Sequence, residues 1–266
     1  MFPSAGGMLS QWRPTSGIAS LRLHAGVFCL CVSTHGIFLA YPNGYRPPMT
    51  YRLVIFDFDG TLADSADWFI AALNKAALRF GFRTLSGEEV AMLRGRSNRE
   101  IIRYLRVPMW KMPMIAAYIR RLSAEDAGSL RLFPGVGDAL IRLRAAGIGI
   151  AIVSSNTEAT IRRVLGAEIA ALVETYECGA SLFGKAAKFR RVLRRTGIPA
   201  KATISIGDEA RDIEAAGQAG IAAGAVTWGY ATPALLQSFG PAALFDSFPA
   251  LAESLISGEP ASAVPA

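Results

Sequence analysis

The sequence predicts an α/β protein: a doubly wound, parallel-sheet, Rossmann-like core with an all-helical cap inserted after the first core strand. Three observations predict it. From residue 52 onward, short apolar runs alternate with amphipathic stretches, the pattern of a parallel sheet covered on both faces. The interval 65–132 keeps a helical apolar period and contains no convincing strand. Polar residues gather where the apolar runs stop, and in an open parallel sheet that is where ligands bind.

Residues 1–48 differ from the rest. They are rich in Gly, Ser and Pro, almost without acidic residues, and end in the turn-rich YPNGYRPP (41–48). The apolar stretch 25–41 is short and carries Ser33, Thr34, His35 and Gly36 at its centre, too polar for a membrane span. It also lacks the cleavage pattern of a signal peptide. The expectation is a largely disordered extension, with Met49 as a natural protein start. The core then begins at RLVIF (52–56), a short β-branched and aromatic run closed by a Gly-Thr turn. Helical patterns follow at 65–81, 86–93, 98–106 and 111–126, which make up the cap (65–132), and FPG (133–135) returns the chain to the core. The core proper is expected over 49–64 and 133–257, with strands at 147–154, 202–207, 222–228 and 242–245. Helices are expected at 136–147, 157–166, 185–197 and 209–220, each ending in or near a Gly as a C-terminal cap requires. Residues 258–266 read as a flexible tail.

Composition narrows the function. With 52% hydrophobic and 18% charged residues over 266, the chain buries a real core. The net charge of +7 favours anionic partners. Its densest basic clusters, 94–99 and 190–195, have no interleaved aromatics and no nucleic-acid motif, so a small phosphorylated substrate is expected and nucleic acid is not. Cys29, Cys31 and Cys178 form no metal-ligand pattern, and an odd count argues against a disulfide framework; a reducing cytoplasm is expected. Both histidines, His24 and His35, precede the first core strand. A Ser-His-Asp triad, a Cys-His pair and a His-ligated zinc are therefore excluded from the main body.

The chemistry lies at the strand ends. VIFDFDGTLADS (54–65) places Asp57 and Asp59 on one side of an extended backbone. Two carboxylates that close raise each other's pKa unless a cation or a hydrogen-bond network holds them, although a strand ending in a polar turn explains the pair alone equally well. The second strand ends in Ser154, Ser155 and Asn156, the third in Asp208 with Asp212 one helical turn on, and Lys185 opens the preceding helix. Together these residues suit Mg²⁺-dependent phosphoryl transfer. Oxygen-only ligands match a hard cation, which also resolves the repulsion of the opening pair. One Asp can act as nucleophile and form an aspartyl-phosphate. The other, two residues on, can protonate the leaving oxygen and later activate water. Lys185 and the Ser154 hydroxyl, beside Ser155, would bind the phosphoryl oxygens.

DFDGT (57–61), a hydrophobic strand ending in Ser, and a Lys ahead of a strand ending in GDEARD (207–212) resemble the haloacid dehalogenase superfamily of Mg²⁺-dependent phosphatases. The resemblance covers about residues 52–257, and the ordered pair DxDGT and GDxxxD is highly specific. It implies that Asp57 is the nucleophile and Asp59 the general acid/base. It also implies that Asp57, the Asp59 backbone carbonyl and Asp208 hold the metal, with Asp212 supporting it, and that Ser154 and Lys185 bind phosphate. The helical insertion corresponds to the movable cap of the phosphoglycolate-phosphatase-like branch, which 225–240 also resembles. One departure is Ala after the lysine where Pro is usual, with Lys188 offered one turn later. In the cap, Arg94, Arg96 and Asn98 read either as a polar loop or as substrate contacts, and Arg96 and Asn98 are the candidates.

The reading is a phosphomonoester hydrolase for a small, phosphoglycolate-like metabolite, a monomer or homodimer with no membrane partner. A sugar phosphomutase of the same superfamily and a non-catalytic regulatory binder on this scaffold are the alternatives. A dehalogenase is less suited, since that chemistry has no use for Asp59.

Overall fold

A computed structural model describes residues 51–179 and 184–258 in full and, before them, the backbone of three strands. The chain divides into two units, Met1–Pro47 and Pro48–Ala266. In the first, β1 (Ala19–Leu23), β2 (Gly26–Ser33) and β3 (Gly36–Ala40) form an antiparallel sheet. No regular element was expected there. Short runs rich in apolar residues, separated by two-residue gaps, have hairpin spacing.

The second unit is built on β4 (Leu53–Phe56), β7 (Gly149–Val153), β8 (Thr175–Glu177), β9 (Thr203–Gly207), β10 (Ala222–Val226) and β11 (Ala243–Phe245). These lie in the order β11-β10-β9-β4-β7-β8, every pairing parallel. β4 sits centrally, buried along its whole length. Its side chains alternate: Val54 and Phe56 join Ile150, Ile152, Ile204 and Ile206 on one face, while Leu53 and Ile55 join Ala151 and Val153 on the other. The first face is covered by α5 (Val136–Ala145), α6 (Glu158–Ala170) and α10 (Phe248–Ser257). The second is covered by α7 (Gly184–Thr196), α8 (Ala210–Ala219) and α9 (Pro233–Ser238). This two-sided burial explains why the core strands read as unbroken apolar runs.

The insertion consists of α1 (Ala66–Phe80), α2 (Gly87–Leu93), α3 (Asn98–Tyr104) and α4 (Met112–Glu125). It has a small core of its own around Leu85, Leu93 and Leu105. Its two ends are tied by a short antiparallel ladder, β5 (Ala63–Asp64) against β6 (Arg131–Leu132). Phe133 N–H then donates to Leu62 O at 2.9 Å, so the chain leaves and rejoins the core at one point.

Several details differ from the sequence reading, among them β6, which lies inside the interval 65–132 where no strand was expected. The edge strand β8 was not foreseen, being three residues long with no alternation to mark it. The short helices α9 and α10 were also not foreseen. Gly166 interrupts α6 as expected, with φ 75° and ψ 164°, and what was not foreseen is the short helical stretch that follows it to Ala170.

Candidate active site

Of the strand-end residues named above, Asp57, Asp208, Asp212 and Lys185 meet at the carboxyl edge of the sheet. Asp57 follows β4 directly, and its backbone N–H donates to Ile206 O at 2.8 Å, which extends the ladder by one rung. One of its oxygens, Oδ1, accepts from Phe58 N–H at 2.7 Å. The other, Oδ2, lies 2.6 Å from Lys185 Nζ, which also reaches Asp212 Oδ1 at 2.5 Å. Asp208, at the end of β9, is held from two sides: the Thr61 hydroxyl donates to Oδ1 at 2.9 Å and Tyr230 N–H donates to Oδ2 at 2.8 Å. Carboxylate oxygens of Asp57, Asp208 and Asp212 lie within 4.8 Å of one another, all three residues buried.

This crowding depends on missing side chains. A Cβ at Gly60, where φ is +73°, would fall 2.2 Å from Asp208 Oδ2. At Gly229 it would fall 2.2 Å from Asp208 Cβ and 2.6 Å from the Gly60 carbonyl. Glycine is required at both because the backbone itself forms the wall of the site.

The electrostatics follow from burial. Burial raises Asp57 above the ordinary carboxylate range, with Lys185 pulling it down and Asp212 pushing it further up. Asp208 is raised well above that range by burial and by the charges of Glu209, Asp212 and Asp57. Asp59 is pushed up to about 6 by burial and then by Asp57, against hydrogen bonds from Ser65 and Asn156. Burial opposes the charge on Lys185, but Asp212 and Asp57 more than offset it and raise its pKa. Lys185 pairs with Asp57 and Asp212, while Asp208 is held by hydrogen bonds from Thr61 and Tyr230. Hard oxygen donors in such a cluster fit a divalent cation, so this triad can hold a metal ion.

The remaining sequence candidates have definite places. Ser154 is buried, its Oγ accepting from Asn156 N–H at 3.0 Å, while Ser155 is exposed. Lys188 turns away from the carboxylates and donates to Ser154 O and Gly179 O, each at 2.5 Å. Burial lowers its pKa to about 8. Of the two lysines, Lys185 is thus the one at the carboxylates. Arg96, in the loop before α3, pairs with Glu100 in the first turn of that helix, both exposed, and Asn98 Nδ2 donates to Glu209 Oε1 at 3.0 Å. Arg94 crosses to the core, where Nε reaches Tyr230 O at 2.9 Å and a terminal nitrogen reaches Gly229 O at 2.8 Å.

Sequence reasoning missed Arg211 and Ser123. Arg211, in the first turn of α8, pairs with Glu209, and its charge lowers the pKa of both Asp57 and Asp59. Its place inside GDEARD was the available signal. Ser123, buried in α4, accepts from Asn156 Nδ2 at 2.8 Å, and nothing in the sequence marks it.

A doubly wound core, a helical insertion and a carboxylate cluster at the sheet edge define a class of hydrolase. The sequence pattern of the haloacid dehalogenase-like hydrolases matches residues 54–226, and the chain belongs to that family. A phosphoglycolate phosphatase of Synechococcus elongatus is 35% identical over 180 residues, 67% of this chain and 85% of that protein. The tyrosine-protein kinase PtkA of Mycobacterium tuberculosis is 28% identical over 86% of this chain and 78% of its own. A haloacid dehalogenase-like hydrolase of Streptococcus pneumoniae shares the fold at TM-score 0.63 and 20% identity, covering 76% of this chain and 97% of that one. Family and relatives together indicate a phosphatase.

Proposed function

We propose that the protein is a Mg²⁺-dependent phosphomonoester hydrolase that acts on a small phosphorylated metabolite of the phosphoglycolate type through an aspartyl-phosphate on Asp57. One observation carries this: Lys185 Nζ stands 2.6 Å from Asp57 Oδ2, at the point where Asp208 and Asp212 converge. A carboxylate so placed has a cationic neighbour for the phosphoryl oxygens.

Asp57, Asp208 and the Asp59 backbone carbonyl would hold the ion, with Asp212 supporting. When bound, Mg²⁺ neutralises the clustered carboxylates and part of the phosphoryl charge. In the first step a carboxylate oxygen of Asp57 forms a bond to phosphorus as the ester P–O bond breaks. The departing oxygen takes its proton from Asp59, whose pKa of about 6 lets it carry one near neutrality. Lys185, Ser154 and Ser155 bind the phosphoryl oxygens. In the second step Asp59, now ionised, accepts a proton from water, the water oxygen attacks phosphorus, and Asp57 is released with inorganic phosphate. The similarity to the Synechococcus elongatus phosphoglycolate phosphatase supports the substrate class. A cytoplasmic location, as monomer or homodimer, belongs to the same reading. Among the described residues no helix is long and apolar enough to cross a membrane.

The test is acid-quench trapping with a labelled phosphoester. Wild type and Asp59→Asn retain the nucleophile and should both be labelled on the peptide that contains Asp57; Asp57→Asn should not. Label on that peptide in Asp57→Asn would overturn the nucleophile assignment.

A further inference from the structure

We infer that Lys188 is a positioning residue for the phosphate-binding hydroxyl of Ser154, because its ammonium ties the turn that carries Ser154 to the segment after β8. The inference rests on the role proposed above for Ser154. Lys188 lies in α7, one turn beyond Lys185, and is 4% exposed. Its Nζ donates to the carbonyls of Ser154 and Gly179, each at 2.5 Å. Ser154 directly follows β7, and Gly179 comes shortly after β8, the parallel neighbour of β7. The lysine thus spans the carboxyl ends of two adjacent strands. Two further bonds close a ring. Gly179 N–H donates to Asn156 O at 2.7 Å, and Asn156 N–H donates to Ser154 Oγ at 3.0 Å. The same turn is held from the insertion, where Ser123 Oγ accepts from Asn156 Nδ2 at 2.8 Å.

Packing does not explain a lysine at this place. Both of its partners are neutral carbonyls, and among the described residues no carboxylate pairs with it. An ammonium buried without a counter-ion is disfavoured against an apolar side chain of the same size. What the lysine supplies, and methionine would not, is the bond to two carbonyls at once. The consequence falls on Ser154, which is itself 2% exposed. Its main chain is held through the carbonyl by Lys188, and its Oγ is held by Asn156 N–H. A hydroxyl also has one hydrogen to donate, and among the described residues no group accepts it from Ser154. That hydrogen is the one offered to a phosphoryl oxygen, and its direction depends on the turn that Lys188 fixes. The two lysines of α7 divide the work: Lys185 stands at Asp57 and Asp212, while Lys188 acts from behind the phosphate-binding turn without touching substrate.

The test is a double-mutant cycle on the full chain, read by calorimetric titration of inorganic phosphate in saturating Mg²⁺, which needs no turnover. Ser154→Ala should weaken phosphate binding by roughly tenfold or more, the loss of a hydrogen bond to a charged group. Lys188→Met keeps the volume and removes both carbonyl bonds; it should weaken phosphate by about three- to tenfold. Placed on top of Ser154→Ala, it should cost less than about twofold more, because the hydroxyl it positions is already gone. Mg²⁺ affinity should stay within about twofold of wild type in every variant, since the carboxylates are untouched. If Lys188→Met does not fold, Lys188→Gln, which keeps a neutral donor, runs through the same cycle under the same criterion. Losses that multiply in the double variant would overturn the inference and make Lys188 a direct electrostatic partner of phosphate. Weakened Mg²⁺ binding alongside would overturn it too, as the sign of a general support of the fold. If Ser154→Ala binds phosphate as tightly as wild type, the role of Ser154 fails and this inference falls with it. If Ser154→Ala is impaired and the Lys188 variants are not, only the positioning role is wrong.

Discussion

Asp208 owes its place to neighbours that lack side chains. With Thr61 and Tyr230 donating to its two oxygens and the backbone of Gly60 and Gly229 pressed against it, the carboxylate has one direction left open, toward Asp57 and Asp212. Gly229→Ala would put a methyl group 2.2 Å from Asp208 Cβ and 2.6 Å from a carbonyl oxygen, and neither neighbour is the far end of a flexible side chain. The backbone must move and take the carboxylate with it. Displacing what orients a metal ligand typically costs about 10–100-fold in affinity. Gly229→Ala should therefore weaken Mg²⁺ binding by that factor in calorimetric titration while the fold persists. Gly217→Ala, in α8 with nothing within 4 Å of the new methyl, should leave Mg²⁺ affinity unchanged and gain up to about 1 kcal/mol in stability. Wild-type Mg²⁺ affinity in Gly229→Ala would show that Asp208 is not a ligand.

At the scale of elements, the loop between α2 and α3 joins the insertion to the core through Arg94. Arg96 attracts attention in RGRSN, but its partner is Glu100 in the first turn of α3, an exposed pair worth about 0.5 kcal/mol or less. Arg94 instead bridges to the carbonyls of Gly229 and Tyr230, and its own carbonyl accepts from Thr232 N–H at 3.1 Å. With Asn98 on Glu209, this fastens the insertion to the core loop that also holds Asp208. Arg94→Ala should raise KM for a small alkyl phosphate by roughly tenfold, as expected for loss of charge-assisted hydrogen bonds. It should also speed amide exchange over 229–232, whereas Arg96→Ala should change either by less than twofold. Equal effects of the two substitutions would mean that the insertion is fastened elsewhere. The elements themselves were largely legible, because β4, β7, β9 and β10 are buried on both faces and the helices carry a clear apolar period. DFDGT and GDEARD are likewise local signals, whose spacing alone brings carboxylates to one edge. What stayed hidden depends on which way a side chain turns: Arg94 rather than Arg96, Lys185 rather than Lys188, and a buried serine in α4.

For the whole molecule, a basic chain of net charge +7 concentrates the buried carboxyl groups of Asp57, Asp208 and Asp212 at one point, and this makes stability depend on pH and metal together. Asp59 titrates near 6 in the folded protein against an ordinary 3.8, and Asp57 and Asp208 are shifted in the same direction. A folded-state pKa raised above the unfolded value means that, between the two, the folded protein keeps a proton the unfolded chain has released. Stability is then present below the unfolded pKa and is lost as pH rises through the folded one. For Asp59 alone the loss amounts to at most about 3 kcal/mol once pH exceeds both values. Glu89 acts oppositely: held down to about 2, chiefly by the Tyr104 hydroxyl, it costs stability only as pH falls below its ordinary 4.5. The window from about 4.5 to 6.5 therefore isolates the buried cluster. Metal-free protein should lose melting temperature as pH rises through that window. Millimolar Mg²⁺ should remove most of the decline, because an ion that binds only the folded state stabilises it by mass action. Asp59→Asn, which cannot ionise, should flatten the metal-free profile part-way. A metal-free melting temperature that is level or rising between those pH values, in wild type, would show that Lys185 and Arg211 already neutralise the cluster and that no divalent ion is needed to hold it together.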